Sequence, residues 1–133
     1  TAARFADTHA RVGILPGWGL SQKLTRIIGI NRAREMSFAG HFIDAHRAEA
    51  WGLVNRVCTP ETLLDETLES AAQVADGDRK AVVALKALMN DGSKQSLGDA
   101  LVLEGERGNA FAKTVDYGKM GERLAALRKR AAK

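Results

Sequence analysis

The sequence predicts an α/β protein that is predominantly α-helical and contains two short strands. Residues 2–7 and 53–58 are short apolar segments, and the second alternates loosely and carries two valines, as strands often do. After residue 59, apolar residues recur at spacings of three and four, which is the period of an amphipathic helix. We therefore expect two regions: residues 1–59, which mix strands with short helices, and residues 60–133, a helical array.

The first region is expected to contain three helices between its strands. A glycine- and proline-rich turn follows the first strand, and the apolar pattern over residues 20–28 predicts a helix that ends before Gly29. Shorter helices are expected over residues 32–38 and 45–51. Their expected caps and stop signals are Asn31 with Gly40 and Asp44 with Gly52. Because an isolated pair of strands is marginal in water, this region is expected to need more sheet than the chain supplies.

The second region is expected to contain four helices, each introduced by a capping side chain. The expected helix starts are Thr59-Pro60-Glu61, Asp78, Ser96 and Asp116. The residues expected to point inward from the second of these helices are Val82, Leu85, Leu88 and Met89. These starts and apolar stripes together predict the helical array.

The net charge of +4 is concentrated at the end of the chain. Residues 119–133 contain six basic side chains and one acidic side chain, Glu122. Such a tail can contact nucleic acid, an anionic membrane or a phosphorylated ligand. It can equally be the solvated end of a helix, where basic residues suit the helix dipole.

The composition is that of an ordinary globular protein, with 45% hydrophobic and 27% charged residues. No segment approaches the roughly 20 apolar residues that a membrane helix needs, and no charged-then-apolar leader is present, so we expect neither membrane insertion nor export. The single Cys58 fits a reducing compartment. The sequence therefore predicts a cytoplasmic location.

Residues 5–24, FADTHARVGILPGWGLSQKL, resemble the active-site turn of the crotonase (enoyl-CoA hydratase/isomerase) family. The family pattern reads Phe-x-x-Pro-Glu, a short spacer, and then Gly-x-x-Pro-Gly-x-Gly-x-x-Gln-Arg-Leu. The matching residues are Gly13, Pro16, Gly17, Gly19, Gln22 and Leu24. The family's catalytic glutamate falls on His9, so one of its two usual acids is replaced.

Residues 38–57 resemble a second family signature, Thr-Gly, Ile-x-Ala and Ala-x-x-x-Gly-Leu-Val-x-x-Val. Further landmarks follow in order and at family spacing: Pro60, Glu61, Leu63, Lys86, Leu101 and Glu104. The resemblance extends from about residue 4 to about residue 128. The chain is identified as a member of the family, and as the C-terminal portion of its fold.

The resemblance implies a spiral of ββα units that holds an acyl-CoA, followed by C-terminal helices that build trimers, often paired into hexamers. Residues 1–59 would supply the end of the spiral with the active-site turn, and residues 60–133 the trimerisation helices. The N-terminal half, which in the family carries the oxyanion-hole amides and the other catalytic glutamate, would be missing from this chain. The expected partners are an acyl-CoA substrate, further copies of the subunit and that N-terminal half, but neither nucleic acid nor a membrane.

His9 and Gly17 are the candidate catalytic residues. Hydration of an enoyl-CoA needs one group to take a proton from water and one to deliver a proton to the α-carbon, and a histidine can do either at neutral pH. Alternatively, His9 fills a pocket whose chemistry has been lost or has moved to the upstream acid. The resemblance implies that the Gly17 N–H helps to hold the catalytic water, although a glycine here could also serve a tight turn.

Four further residues are candidates for substrate binding. Pro16 and Trp18 flank Gly17, and Trp18 would either narrow the acyl pocket or pack against the following helix. Arg128 falls on the family's basic phosphate partner, so Arg128 or Lys129 is expected to contact the CoA phosphates. Ala125 stands where the family carries an aromatic residue that lines the CoA pocket.

The leading hypothesis is that the protein is an enoyl-CoA hydratase of fatty acid metabolism, which adds water across the 2,3 double bond of an acyl-CoA thioester. The alternatives are a double-bond isomerase and a non-catalytic acyl-CoA-binding or assembly module of the same family. A helix-turn-helix nucleic-acid binder over residues 20–38 leaves the Pro-Gly-Trp-Gly turn without a role. No metal site is expected, since His41 and His46 do not share a helix face, and no cofactor is expected beyond the coenzyme A of the substrate.

Overall fold

The structure is a computed structural model that describes residues 1–131, with side chains up to residue 128. Its elements, in chain order, are β1 Arg4–Phe5, a 3-10 turn at Ala10–Val12, α1 Leu20–Ile28, α2 Ile30–Ala39, β2 Ile43–Asp44, α3 Ala45–Ala50, α4 Leu63–Ala75, α5 Arg79–Gly92, α6 Leu97–Ala112 and α7 Tyr117–Ala131. The expectation of a mainly helical chain with two short strands is confirmed. The chain divides into two compact units, Thr1–Ala72 and the residues from Gln73 onward. The boundary at residue 59 stays a prediction.

The two strands form a small antiparallel ladder, in which Arg4 pairs with Asp44 and Phe5 pairs with Ile43. The first strand was expected within residues 2–7 and lies there, but the second was expected at residues 53–58, and this prediction was wrong.

Three backbone N–H groups of residues 53–58 donate to α3 instead of to a neighbouring strand. The N–H groups of Leu53 and Val54 both donate to the Ala48 carbonyl, at 2.8 and 3.4 Å. The Val57 N–H donates to the Glu49 carboxylate at 3.0 Å. The valines of this segment therefore follow a helix end and do not extend a sheet.

The core of the first unit lies between α1, α2 and the strand pair. Its buried residues are Leu24, Ile28, Ala33, Met36, Ile43 and Ala48. The helix predicted over residues 20–28 is confirmed, and Leu24 and Ile28 of its apolar pattern are buried, whereas Ile27 of the same pattern is 53% exposed. This core fixes α1 and α2, and both helices border the turn described below.

Side-chain caps begin most of the helices at the predicted positions. Asp44 accepts from the Arg47 N–H at 2.7 Å, and Asp78 accepts from the Ala81 N–H at 2.9 Å. Ser96 and Asp116 likewise cap α6 and α7. The expected cap at Asn31 was wrong. Helix α2 already begins at Ile30, directly after Gly29, and the Ala33 N–H donates to the Gly29 carbonyl. At residue 59 a hydrogen-bonded turn comes first, and α4 begins at Leu63.

In the second unit, α5 packs against α6 and leaves an open groove of about 750 Å³. The groove is almost entirely apolar, and its lining includes Val82, Leu85, Leu88 and Phe111. Of the four residues expected to point inward from α5, Leu88 is partly buried, but Leu85 is 52% and Met89 is 65% exposed, so the prediction holds only in part. The helices form as predicted, but the described residues do not cover their apolar stripes.

Candidate active site

The turn between β1 and α1 holds His9 in a fixed backbone conformation. His9 immediately precedes the short 3-10 segment Ala10–Val12. Its carbonyl accepts hydrogen bonds from the Val12 and Ile14 N–H groups, both at 3.1 Å. Because acceptor and donors close a compact loop, the Cα–Cβ direction of His9 is set by local main-chain bonding.

Asp7 contacts His9 twice and was not predicted as a site residue. Its Oδ1 lies 2.7 Å from His9 Nδ1 and also accepts the His9 backbone N–H at 3.2 Å. The Asp7 side chain is buried, and the His9 side chain is 19% exposed. The sequence signal was present: an aspartate commonly accepts from the N–H two residues ahead. A carboxylate placed this way can also reach the side chain of that residue.

The surroundings of Asp7 keep its carboxyl group ionised. Burial on its own would raise the pKa of Asp7, but hydrogen bonding with Ser37 and with the ring and backbone of His9 outweighs burial, so the pKa is lowered overall. Beside Asp7 lies a cavity of about 330 Å³ whose other lining residues include Leu20, Leu24 and Met36. The lining also includes Arg4, so a basic side chain borders the same cavity as the Asp7 carboxylate.

Trp18 lies against the His9 ring. The two ring centroids are 5.8 Å apart with an interplanar angle of 68°, an edge-to-face arrangement. Trp18 is 77% exposed, so packing against α1 does not bury it. The residues described here thus bring Trp18 and His9 together at one end of the turn, with Asp7 on the ring's Nδ1 edge.

Gly17 does not owe its identity to a left-handed backbone. The glycines with positive φ in this turn are Gly13 and Gly19, at 76° and 88°, and a Cβ built on Gly17 has no neighbour within 4 Å. Among the described residues, the Gly17 N–H has no hydrogen-bond acceptor. Pro16, which precedes it, is half-buried. The geometry therefore leaves the Gly17 amide open to a ligand.

One long side chain ties the turn to the end of α2. Arg11 Nε donates to the Ala39 carbonyl at 2.7 Å. The next residue, Gly40, has φ of 60°, and a Cβ there would lie 2.5 Å from Arg11 Cγ. Glycine at position 40 is thus needed both for the helix end and for the path of Arg11.

The proposed phosphate contacts lie in α7, in the second unit. Arg128 is exposed, and the side chain of Lys129 lies outside the described residues. Nearby in sequence, Arg123 Nη1 lies 2.6 Å from Asp78 Oδ2, which joins α7 to the cap of α5. Binding of CoA phosphates by Arg128 or Lys129 stays a prediction.

The described part of the chain also bears on three other features: metal sites, membrane helices and the reactivity of Cys58. Within it, no group of three His, Cys, Asp or Glu side chains is placed to hold a metal ion. None of the helices found there is long and apolar enough to cross a membrane. Cys58 is half-buried, and partial desolvation together with its hydrogen bond to Glu66 raises the pKa of the thiol, which disfavours the reactive thiolate.

The fold and the turn match those expected of the crotonase class, and comparison with known proteins is more specific. The sequence profile described as enoyl-CoA hydratase/isomerase matches residues 1–126. The chain belongs to the enoyl-CoA hydratase/isomerase family, which confirms the resemblance drawn from the motifs.

Three relatives illustrate the match. A probable peroxisomal enoyl-CoA hydratase 1 of Arabidopsis thaliana is 46% identical over 109 residues, which are 82% of this chain and 41% of the plant protein. A short-chain-enoyl-CoA hydratase of Clostridioides difficile is 35% identical over 77% of this chain and 66% of its own length. The crystal structure of an enoyl-CoA hydratase from Bacillus anthracis superposes with a TM-score of 0.83 at 30% identity, over 96% of this chain and 48% of that one.

The chain thus spans less than half the length of the plant relative and about half that of the Bacillus structure. The fold is therefore confirmed as a portion of the crotonase fold. The activity of the complete protein is a matter for the proposal that follows.

Proposed function

We propose that the complete protein is an enoyl-CoA hydratase that adds water across the 2,3 double bond of a fatty enoyl-CoA thioester. The observation that carries this proposal is the position of His9: it stands where the family's catalytic glutamate is expected, and it is held there by the hydrogen bonds of the turn. A histidine poised at this point can take a proton from water at neutral pH.

In the proposed reaction, His9 accepts one proton from water while the water oxygen bonds to C3 of the substrate. The electron pair of the 2,3 double bond moves toward the thioester carbonyl and forms an enolate. The other catalytic glutamate, expected on the N-terminal half, then delivers a proton to C2 and completes the 3-hydroxyacyl-CoA. Transfer of the proton from His9 back to that glutamate restores the starting state. Water and the enoyl-CoA are the only reactants consumed, so no cofactor beyond the coenzyme A of the substrate is needed.

The other turn residues have roles consistent with this chemistry. The open Gly17 N–H is the proposed support for the attacking water, and Pro16 and Trp18 are the proposed wall of the acyl pocket. Arg128 and Lys129 are proposed to bind the CoA phosphates. The proposed assembly is a homotrimer or a dimer of trimers, together with the N-terminal half of the fold. The proposed location is cytoplasmic, although the Arabidopsis relative is named as peroxisomal.

The test is product analysis with the complete protein and a 2-enoyl-CoA. We expect a product one water heavier than the substrate, and His9→Ala should lower turnover by about two to four orders of magnitude, the usual effect of losing a general acid or base. The matched control is His46→Ala, an exposed histidine of α3, which should leave turnover unchanged.

Three outcomes count against the proposal in different ways. A product of unchanged mass with a shifted double bond would instead assign isomerase activity. Binding of the CoA ester without any product would favour the non-catalytic module. A fully active His9→Ala enzyme would remove His9 from the mechanism.

A further inference from the structure

We infer that Asp7 is a positioning residue that holds the His9 ring with Nδ1 as a hydrogen-bond donor and leaves Nε2 unprotonated to take the proton from water. This inference rests on the proposed function for the identity of the reaction, but the orientation of the ring is argued from geometry alone.

The contact with Asp7 decides which nitrogen of the His9 ring carries the proton. An ionised carboxylate only accepts hydrogen bonds, and Asp7 Oδ1 lies 2.7 Å from His9 Nδ1. Nδ1 must therefore be the protonated nitrogen. In a neutral imidazole the other nitrogen then carries the free lone pair. The lowered pKa of Asp7, set by its hydrogen bonds with Ser37 and His9 against the opposing effect of burial, agrees with an ionised carboxyl group.

Two neighbours fix the orientation of the His9 ring. The same Oδ1 also accepts the His9 backbone N–H, so the carboxylate is fixed relative to the main chain that bears the ring. Trp18 meets the ring edge-to-face at 5.8 Å and restricts its rotation from another side. His9 has therefore a bonded partner on one edge and an aromatic neighbour beside it. A general base gains most when such contacts are in place before the substrate binds.

The Asp7 carboxylate also faces the positive charge that His9 gains when it takes a proton. When His9 takes a proton on Nε2, the imidazolium forms beside the buried Asp7 carboxylate, which lies 2.7 Å from Nδ1 and can keep its hydrogen bond to that nitrogen. Two side chains, one carboxylate and one imidazole, thereby occupy the place of the single glutamate of the resemblance. This explains how a histidine can work at that position, and it makes Asp7 part of the site as a positioning residue.

The experiment uses the complete protein labelled with ¹⁵N-histidine, and the His9 ring signals are assigned by their loss in His9→Gln. At a pH where the ring is neutral, the wild-type spectrum should show a protonated Nδ1 and an unprotonated Nε2. In Asp7→Ala the ring should shift toward the Nε2–H form that a free histidine side chain favours. The matched control is Asp44→Asn, which removes an exposed carboxylate from a cap that asparagine can replace, so its ring signals should match the wild type.

Turnover provides the second readout. Asp7→Asn keeps an oxygen for the His9 backbone N–H, and therefore the turn, but it removes the charge. We expect Asp7→Asn to fold and to lose turnover by about tenfold or more, with KM changed much less. The substitution removes the carboxylate charge beside the His9 ring but no group that binds the substrate. Asp44→Asn should retain wild-type turnover.

The outcomes separate this inference from the proposed function. A wild-type ring protonated at Nε2 overturns the inference whether or not the protein hydrates enoyl-CoA. Unchanged turnover in folded Asp7→Asn, with unchanged ring signals in Asp7→Ala, also overturns it and leaves Asp7 as a turn residue. The expected ring signals in a protein that hydrates no substrate would support the positioning of His9 by Asp7 and reject the hydratase proposal.

Discussion

At the scale of single residues, the active-site turn shows how neighbours decide what a side chain can do. His9 and His46 are chemically the same, yet His9 is held by four hydrogen bonds and an aromatic contact while the His46 side chain is exposed. The motif singled out His9, whose catalytic role stays a prediction, but sequence reasoning missed Asp7, which pairs one oxygen with both the ring Nδ1 and the backbone N–H of His9. The same applies to Gly17, for which the sequence left two explanations open.

Gly17 provides a residue-scale prediction, because its structural and functional roles separate. Its φ lies outside the left-handed range and a Cβ has open space, so Gly17→Ala should change the free energy of unfolding by no more than about 0.5 kcal/mol. If the amide supports the catalytic water, the added methyl group should nevertheless lower turnover. Urea unfolding and the hydratase assay measure the two effects. The control is Gly13→Ala, which at φ of 76° should cost about 1–2 kcal/mol of stability. Full turnover in Gly17→Ala would contradict the proposed role of the amide.

Asp7 also predicts a pH dependence of stability. Because its folded pKa lies below its unfolded value of about 3.9, its contribution is fully present above that pH and is lost as the pH falls through the folded pKa. We expect Asp7→Asn to lower the free energy of unfolding by about 1.5–3 kcal/mol at pH 7, the range for hydrogen bonds to a charged group. The difference should shrink below about pH 4. Urea titrations of both proteins at pH 7 and pH 3 check this, and a difference that grows on acidification would reverse the assigned sign.

At the scale of elements, the sequence predicted the helices better than the strands. Asp44, Asp78 and Ser96 each cap the helix that was expected, since capping needs only a side chain and the N–H three residues ahead. The strand predicted at residues 53–58 was wrong because a strand needs a hydrogen-bonded neighbour. The N–H groups of Leu53 and Val54 donate to the Ala48 carbonyl of α3 instead. Pairing between residues far apart in sequence, as in β1 with β2, leaves little local signal.

The junction between the turn and α2 yields a prediction about Gly40. Gly40→Ala imposes a positive φ on alanine, at a cost of about 1–2 kcal/mol, and also displaces Arg11 from the Ala39 carbonyl. Gly52→Ala is the matched control, since its φ is 77° but a Cβ there has no neighbour within 4 Å. We expect Gly40→Ala to be less stable than Gly52→Ala by about 1 kcal/mol, roughly one hydrogen bond. Introducing Arg11→Ala should remove this excess, and an equal effect of both glycine substitutions would show that Arg11 contributes nothing.

At the scale of the whole molecule, the helices present more apolar surface than the described residues bury. In the first unit the apolar stripes of α1 and α2 close on a core, and the family motifs lie on those elements. In α4 the corresponding residues remain open, with Leu64 67% and Leu68 57% exposed. Periodicity predicts that a helix has an apolar face, but it does not say which partner covers that face. The sequence therefore predicted the helices of the second region and could not predict their packing.

The groove between α5 and α6 tests the proposed homotrimer, because a subunit interface would cover an open apolar helical face of this kind. Leu85 lines the groove, whereas Val83 lies on the same helix, is 61% exposed and does not line it. In the complete protein, Leu85→Asp should place a charge in a desolvated interface and lower the oligomer mass measured by light scattering. Val83→Asp adds the same charge outside the groove and should leave the mass unchanged. An unchanged mass in a folded Leu85→Asp protein would show that this groove does not join subunits, whereas equal losses in both variants would place the interface over the wider helix surface.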